Sequence, residues 1–144
     1  MQFQERDMSS DSSLSERATC VLLVDDNKEI LARVRAALTP ACVIVAEVTD
    51  GASALAAAKA LRPDVIVLDI SMPGMSGLEV AASLRRQQST AAIVFLTVHD
   101  DAQLVDAAMQ SGGTGYVLKT RVSTDLLHAV QEARSGRSFV SPRS

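Results

Sequence analysis

The feature that most constrains the fold is an apolar run, residues 65–68 (VIVL), which ends at Asp69 and is followed by turn residues from Pro73 to Gly77. The run does not alternate between apolar and polar residues, which is typical of a strand covered on both faces of its sheet. Asp69 is therefore predicted at a strand end, half sunk in an apolar environment, where an ionised carboxylate is costly without cations or donors. We expect the rest of the chain to supply such partners.

Four further strand-like runs alternate with helix-like segments along the chain. The strands are predicted at residues 20–24, 43–48, 91–96 and 116–118, with an amphipathic or Ala-rich segment after each strand. This alternation predicts an α/β fold: a doubly wound, five-stranded parallel sheet in the flavodoxin-like order 2-1-3-4-5, with helices on both faces. Glu47 interrupts the second run, so this strand is expected near an edge of the sheet.

Four of the predicted strands carry a charged or polar residue at the carboxyl end: Asp25 and Asp26, Asp69, Thr97, and Lys119. In a parallel sheet these ends meet at one edge, where ligands bind at the point of strand-order reversal. Asp26 or Asn27 could cap the helix that follows the first strand, but a cap uses one side chain and leaves one acid of the pair unexplained. The adjacent acids therefore indicate a cation.

Three clustered carboxylates favour a hard cation with oxygen ligands, and an open site with few protein ligands suits Mg²⁺, with Mn²⁺ as the alternative metal. The Lys119 ammonium and the Thr97 hydroxyl would complete a clamp for three phosphoryl oxygens. Asp69 is then placed as the nucleophile of a phosphoryl transfer that yields an acyl phosphate. Taken singly, each residue also fits an ordinary loop acid, turn threonine or surface lysine.

Over residues 20–135 the chain resembles the receiver domain of response regulators, and its motifs LDISMPGMSGLEV, LTVHDD, GYVLK and GRSFVSP are similar to those of the NarL/FixJ group. The resemblance implies that Asp69 takes its phosphoryl group from a sensor histidine kinase or a phosphotransfer protein. It also implies that Asp26, Asp69 and the Ser71 backbone carbonyl ligate Mg²⁺, with Asp25 acting largely through water.

The resemblance assigns switch roles to Thr97 and Tyr116, and it places Ser71 and His99 beside the path of the water that hydrolyses the acyl phosphate. For Ser71 and His99 the alternative is an ordinary loop residue. For Tyr116 the alternative is a half-buried edge-strand aromatic with its hydroxyl in water.

Two residues depart from the pattern of the family. Thr120 follows Lys119 where many receivers carry a proline, so no cis peptide is expected there. Val98 is bulkier than the alanine or glycine common after the switch threonine, and we expect it to restrict the movement of the loop and of Tyr116.

The expected function is that of a phosphoacceptor receiver in a two-component pathway, which catalyses its own phosphorylation and dephosphorylation and is not a conventional enzyme. It would regulate transcription through an effector domain absent here, since members of this group usually continue into a helix-turn-helix domain. A stand-alone phosphorelay receiver is one alternative. A haloacid-dehalogenase-like hydrolase is another, although Ser71 stands where its motif needs a second aspartate. A flavodoxin-like binding module is the third, and the lack of a Gly-rich phosphate loop argues against nucleotides.

The length and composition suit a single domain. We expect a serine-rich mobile tail at residues 1–17, the receiver domain at 18–136, and a C-terminal tail or the start of a linker at 137–144. A net charge of -3 and a pI near 5.3 argue against binding of nucleic acid or an anionic membrane by this chain, and no apolar run could span a membrane. The expected location is the cytoplasm, and a second copy of the chain is a candidate partner. Cys20 and Cys42 are expected to be free, buried thiols, with a bridge between them as the alternative.

Overall fold

The fold is taken from a computed structural model, in which residues 17–142 are described. The expected mobile tail therefore lies outside the described residues except for Arg17, whose guanidinium pairs with Asp64 at 3.2 Å. The elements alternate along the chain as β1 (Thr19–Val24), α1 (Lys28–Leu38), β2 (Cys42–Val48), α2 (Gly51–Leu61), β3 (Val65–Asp69), α3 (Gly77–Arg86), β4 (Ala92–Thr97), α4 (Ala102–Gln110), β5 (Gly115–Leu118), a 3₁₀ turn (Lys119–Arg121), α5 (Val122–Arg134) and β6 (Phe139–Val140).

The strands form one sheet in the order β2-β1-β3-β4-β5-β6, with every neighbouring pair parallel. The predicted α/β fold, the order 2-1-3-4-5 and the edge position of the second strand are confirmed. Five strands were expected, and the sheet has six, because β6 lies beside β5. β6 has two residues, which is too few to show any periodicity in the sequence, and it lies within the segment expected to be a tail or linker start.

Each face of the sheet supports its own hydrophobic core, and β3 contributes to both. Val65 and Val67 pack into the core beneath α1 and α5, whereas Ile66 and Leu68 pack into the core beneath α2, α3 and α4. All five residues of β3 are buried. This two-sided burial explains why the run before Asp69 is apolar without alternation.

Side-chain hydrogen bonds cap the N-termini of four helices, α1 to α4. The Asn27 side chain caps α1 by accepting hydrogen bonds from the backbone amides of Glu29 and Ile30. Ser76 and Glu79 form a reciprocal capping box at α3. Because Asn27 caps α1, neither Asp25 nor Asp26 is needed as a helix cap.

The two cysteines are free, as expected, but only Cys42 is buried, and the expectation of a buried Cys20 is wrong because this residue is partly exposed. Cys42 pairs with Thr19 across β1 and β2, and it packs in the core beneath α1 and α5. Cys20 follows Thr19 on β1, so its side chain points to the opposite face of the sheet from Cys42. The alternative of a bridge between them is wrong. Within residues 17–142, no helix combines the length and apolar character that crossing a membrane requires.

Gly77 allows the loop after β3 to fold back against the strand end. Its backbone amide donates to the Ile70 carbonyl at 2.8 Å. A Cβ atom at this position would lie 2.7 Å from the Ile70 Cα and would also collide with the Asp69 carbonyl oxygen. The site at Asp69 therefore depends on a glycine at the start of α3.

We predict that Gly77→Ala lowers the free energy of unfolding by about 2 to 3 kcal/mol, because backbone atoms around Asp69 must move to admit the methyl group. Gly74→Ala is the matched control in the same loop. Gly74 has a φ of +79° and open space around its Cα, so the control should lose only about 1 kcal/mol, from backbone strain. Urea denaturation measures both, and an equal loss in the two variants would contradict the close approach.

Candidate functional site

Three carboxylates meet where β1 and β3 end. Asp25, Asp26 and Asp69 each offer an oxygen, and these atoms lie within 4.8 Å of one another. Asp25 is fully buried and Asp69 is 1% exposed, whereas Asp26 is open to solvent. β1 and β3 are neighbours in the sheet at the point where the strand order reverses, so the topology produces the predicted convergence of these acids.

The two buried carboxylates are held in the same way. The Oδ1 atom of each accepts a hydrogen bond from the backbone amide two residues later: from Asn27 at 2.8 Å for Asp25, and from Ser71 at 3.1 Å for Asp69. The Oδ2 atoms both face the Lys119 ammonium, at 3.0 Å for Asp25 and 3.3 Å for Asp69. Lys119 thus reaches from the end of β5 across β4 to the acids of β1 and β3.

The single positive charge of Lys119 does not balance the negative charges of Asp25, Asp26 and Asp69. Burial, and then the neighbouring charge of Asp25, raise the pKa of Asp69 to about 6, although Lys119 and the Ser71 amide oppose the rise. The Oδ2 atoms of Asp25 and Asp69 receive no well-oriented hydrogen bond, and among the buried side-chain polar atoms of residues 17–142 they alone share this condition. The site therefore has unused oxygen acceptors and excess negative charge.

These donors fit the expected divalent cation. The cluster offers carboxylate oxygens, which Mg²⁺ and Mn²⁺ prefer, and the exposed Asp26 leaves room for the waters that Mg²⁺ retains. Ser71, whose carbonyl is an expected ligand, is exposed in the loop after β3 and is tied to Asp69 through its amide. The described residues thus include an acidic site of the kind that binds Mg²⁺.

Thr97 lies on the same edge of the sheet, between the strands of Asp69 and Lys119. It is buried at the end of β4, and its Oγ1 accepts a hydrogen bond from the His99 backbone amide at 3.0 Å. The Tyr116 hydroxyl donates to the His99 carbonyl at 2.8 Å. His99 therefore connects the two expected switch residues through its backbone, while its side chain is exposed.

Tyr116 faces the core and not the solvent. It is 1% exposed and packs with the core beneath α2, α3 and α4, and burial raises the pKa of its hydroxyl. The alternative of a half-buried edge-strand aromatic is wrong, because β6 covers the flank of β5 and makes it an internal strand. Val98, by contrast, is largely exposed, so its extra bulk occupies no space in the core.

One contact to the site was not predicted from the sequence. The Arg33 guanidinium on α1 donates to the Lys119 backbone carbonyl at 3.3 Å, across 86 residues of chain. Arg33 lies among other polar residues of an amphipathic helix, and no local pattern distinguishes it.

A family model described as the response regulator receiver domain matches residues 21–131. The chain belongs to this family. The receiver domain is 42% identical over 125 residues to the nitrate/nitrite response regulator protein NarP of Escherichia coli K12, and 35% identical over 131 residues to NarL of the same strain. These matches cover 85% and 90% of this chain but only 58% and 60% of NarP and NarL, so the chain spans about three fifths of the length of these relatives.

A solved receiver domain, that of NarL from Mycobacterium tuberculosis, superposes with a TM-score of 0.80 at 35% identity and covers 84% of this chain and 99% of that one. The resemblance to NarL-type receivers is thereby confirmed, and the family assignment gives no support to a haloacid-dehalogenase-like hydrolase.

The raised pKa of Asp69 predicts a specific dependence of stability on pH. The folded receiver without metal keeps a proton on Asp69 up to about pH 6, whereas the unfolded chain releases it near the ordinary value of 3.8. The folded state thus binds more protons between these values, and the free energy of unfolding falls as the pH rises through this window. Asp69→Asn removes the effect, so it should be more stable than the parent by about 1 to 3 kcal/mol above pH 6, with little difference near pH 4.

Urea denaturation in the presence of a chelator, repeated from pH 4 to 8, measures this difference. Asp106→Asn, on the exposed side of α4, is the matched control and should show no such dependence. Equal stability of Asp69→Asn and the parent at pH 7.5 would contradict the proposed charge repulsion.

Proposed function

We propose that this chain is the phosphoacceptor of a two-component pathway, in which Asp69 takes a phosphoryl group from the phosphohistidine of a sensor histidine kinase or a phosphotransfer protein. The observation that carries the proposal is the buried Asp69 carboxylate, which shares the Lys119 ammonium with Asp25 at the strand-order reversal of a receiver fold. The raised pKa and the unused Oδ2 atoms support a role for the site beyond structure.

The proposed reaction is a displacement at phosphorus. An Asp69 carboxylate oxygen attacks the phosphorus atom, the P–N bond to the imidazole breaks, and the electron pair stays on the nitrogen, which is then protonated. The product is an acyl phosphate. Bound Mg²⁺ would supply charge neutralisation for the phosphoryl oxygens.

The residues of this chain position the group and balance its charge. Lys119 is already beside Asp69, so its ammonium needs only a small movement to bind a phosphoryl oxygen. Thr97 lies on the intervening strand with a hydroxyl that can donate to a second oxygen. The domain would thereby promote its own phosphorylation and the later hydrolysis of the acyl phosphate.

For the metal, we propose direct ligation by Asp26, Asp69 and the Ser71 carbonyl, with Asp25 acting through water. The exposed Asp26 has no structural task in the described contacts, since Asn27 caps α1. Asp25 by comparison is fully buried, accepts a hydrogen bond from the Asn27 amide and lies 3.0 Å from the Lys119 ammonium. This difference supports the assignment of the direct role to Asp26.

The signal would leave the site through the backbone of His99. A phosphoryl group that attracts the Thr97 hydroxyl competes with the hydrogen bond from the His99 amide, and a shift of this loop alters the carbonyl that accepts the hydrogen bond from Tyr116. Such a ligand biases an existing equilibrium between loop conformations. The exposed positions of Ser71 and His99 are consistent with proposed roles in guiding the hydrolytic water.

The proposed output is regulation of transcription through a separate effector domain, by analogy with relatives named as nitrate/nitrite response regulators. A homodimer is the proposed assembly, and the cytoplasm is the proposed location. Because the chain spans about three fifths of these relatives, these statements concern the whole protein and rest on the family relationship.

We predict that Asp69→Asn abolishes phosphorylation by acetyl phosphate with Mg²⁺, because the amide oxygen is a far poorer nucleophile and lacks the charge that helps to hold the metal. Intact-mass analysis measures the added phosphoryl group. The Asp106→Asn control should be phosphorylated like the parent, since its side chain is exposed on α4. A full phosphoryl mass gain in Asp69→Asn would disprove the assignment of the phosphoacceptor.

A further inference from the structure

Connected hydrogen bonds hold the residues that precede and follow Lys119 in the chain. Before it, the Leu118 backbone amide donates to the Ser141 Oγ at 3.2 Å. After it, the Arg121 guanidinium donates to Asp125, with its Nε 2.6 Å from Oδ2. The Ser141 hydroxyl joins the two halves by donating to the same Asp125 Oδ2 at 2.8 Å. The residues immediately around the site lysine are therefore fixed by one buried carboxylate and one buried hydroxyl.

These contacts are protected from solvent and are costly to disturb. Ser141 is 3% exposed and Asp125 is 6% exposed. Hydrogen bonds from Arg121 chiefly, and from Ser141, hold the pKa of the Asp125 carboxyl below its usual range. A buried carboxylate that loses a donor leaves an unsatisfied acceptor, which strongly favours the intact arrangement.

The C-terminal segment delivers Ser141 to this position. Phe139–Val140 forms β6 against β5, and the Ser141 amide donates to the Tyr116 carbonyl at 2.8 Å. β6 pairs only with the first part of β5, so Leu118 lies beyond it, and the Ser141 side chain satisfies the Leu118 amide instead. The segment thus completes the outer flank of the strand that carries Lys119.

The turn after β5 needs such support because of its sequence. Residues Lys119–Arg121 form a single 3₁₀ turn with Thr120 in the middle. Thr120 lacks the ring that restricts φ in a proline, so this turn has more backbone freedom in isolation. Side-chain contacts on both sides of the turn restrict that freedom.

We propose that Ser141 is a positioning residue for Lys119: through the Leu118 amide and the Asp125–Arg121 pair, it fixes the turn that directs the ammonium toward Asp25 and Asp69. Because the two events share Lys119, docking of residues 139–142 and binding of a phosphoryl group at Asp69 favour each other. This inference rests on the proposed function. It gives residues 139–142 a role in positioning the site lysine.

The test compares phosphorylation rates of the full chain with acetyl phosphate and Mg²⁺, followed by intact mass over a range of donor concentrations. Ser141→Ala should lower the maximal rate about three- to tenfold while the donor concentration at half-maximal rate stays the same. Asp125→Asn, which keeps the shape of the side chain, should also slow the reaction. Circular dichroism establishes that each variant is folded under the assay conditions.

Two controls separate positioning from a general loss of stability. Ser138→Ala removes an exposed hydroxyl from the same segment and should leave the rate unchanged. Ala58→Gly weakens α2, which packs on the opposite face of the sheet from α5, beside Pro63 and near the start of β3, and it should reduce stability without reducing the rate.

Normal phosphorylation of both Ser141→Ala and Asp125→Asn would overturn this inference and leave the proposed function intact. An equal slowing by Ala58→Gly would also overturn it, because destabilisation alone would then explain the effect. A parent chain that takes up no phosphoryl group at Asp69 would refute the proposed function, and the inference with it.

Discussion

The interaction on which the site depends is the sharing of one partly buried ammonium by two buried carboxylates. Lys119 contacts both Asp25 and Asp69, and the exposed Asp26 adds further negative charge nearby. Burial strengthens the repulsion between the acids as well as their attraction to Lys119, since both act with little screening by water. The raised pKa of Asp69 expresses the resulting imbalance. A divalent cation and a bound phosphoryl group would together satisfy charges and acceptors that the protein alone leaves unsatisfied.

The fold sustains this arrangement by holding the backbone firmly around it. β1 and β3 are buried on both faces, so the ends that carry the acids have little freedom to separate. Backbone amides two residues after Asp25 and Asp69 fix one oxygen of each and leave the other directed at Lys119. The hydrophobic cores thus stabilise a set of like charges that would not assemble by itself. Such local conflict with overall stability is characteristic of functional sites.

Much of the fold and of the site could be predicted from the sequence, because the patterns that indicate a strand and the residue at its end are local in the chain. Apolar runs of three to six residues predicted the strands, and the residues that follow three of these runs predicted the convergence of Asp25, Asp69 and Lys119. β6 could not be predicted, since two residues show no periodicity. The position of β5 inside the sheet, and not at its edge, follows from that strand and could not be predicted for the same reason. The contacts of Arg33 with Lys119 and of Ser141 with Asp125 join distant parts of the chain, and no spacing in the sequence indicates them.

The charge balance at Asp69 is the central claim of this account, and ¹³C NMR titration of the Asp69 carboxyl carbon measures it most directly. Without metal, the carboxyl should titrate with a pKa near 6, about two units above an ordinary aspartate. Saturating Mg²⁺ should lower that pKa, because the bound cation offsets the charge of Asp25 and favours the ionised form. A pKa near 4 without metal, unchanged when Mg²⁺ is added, would contradict the account.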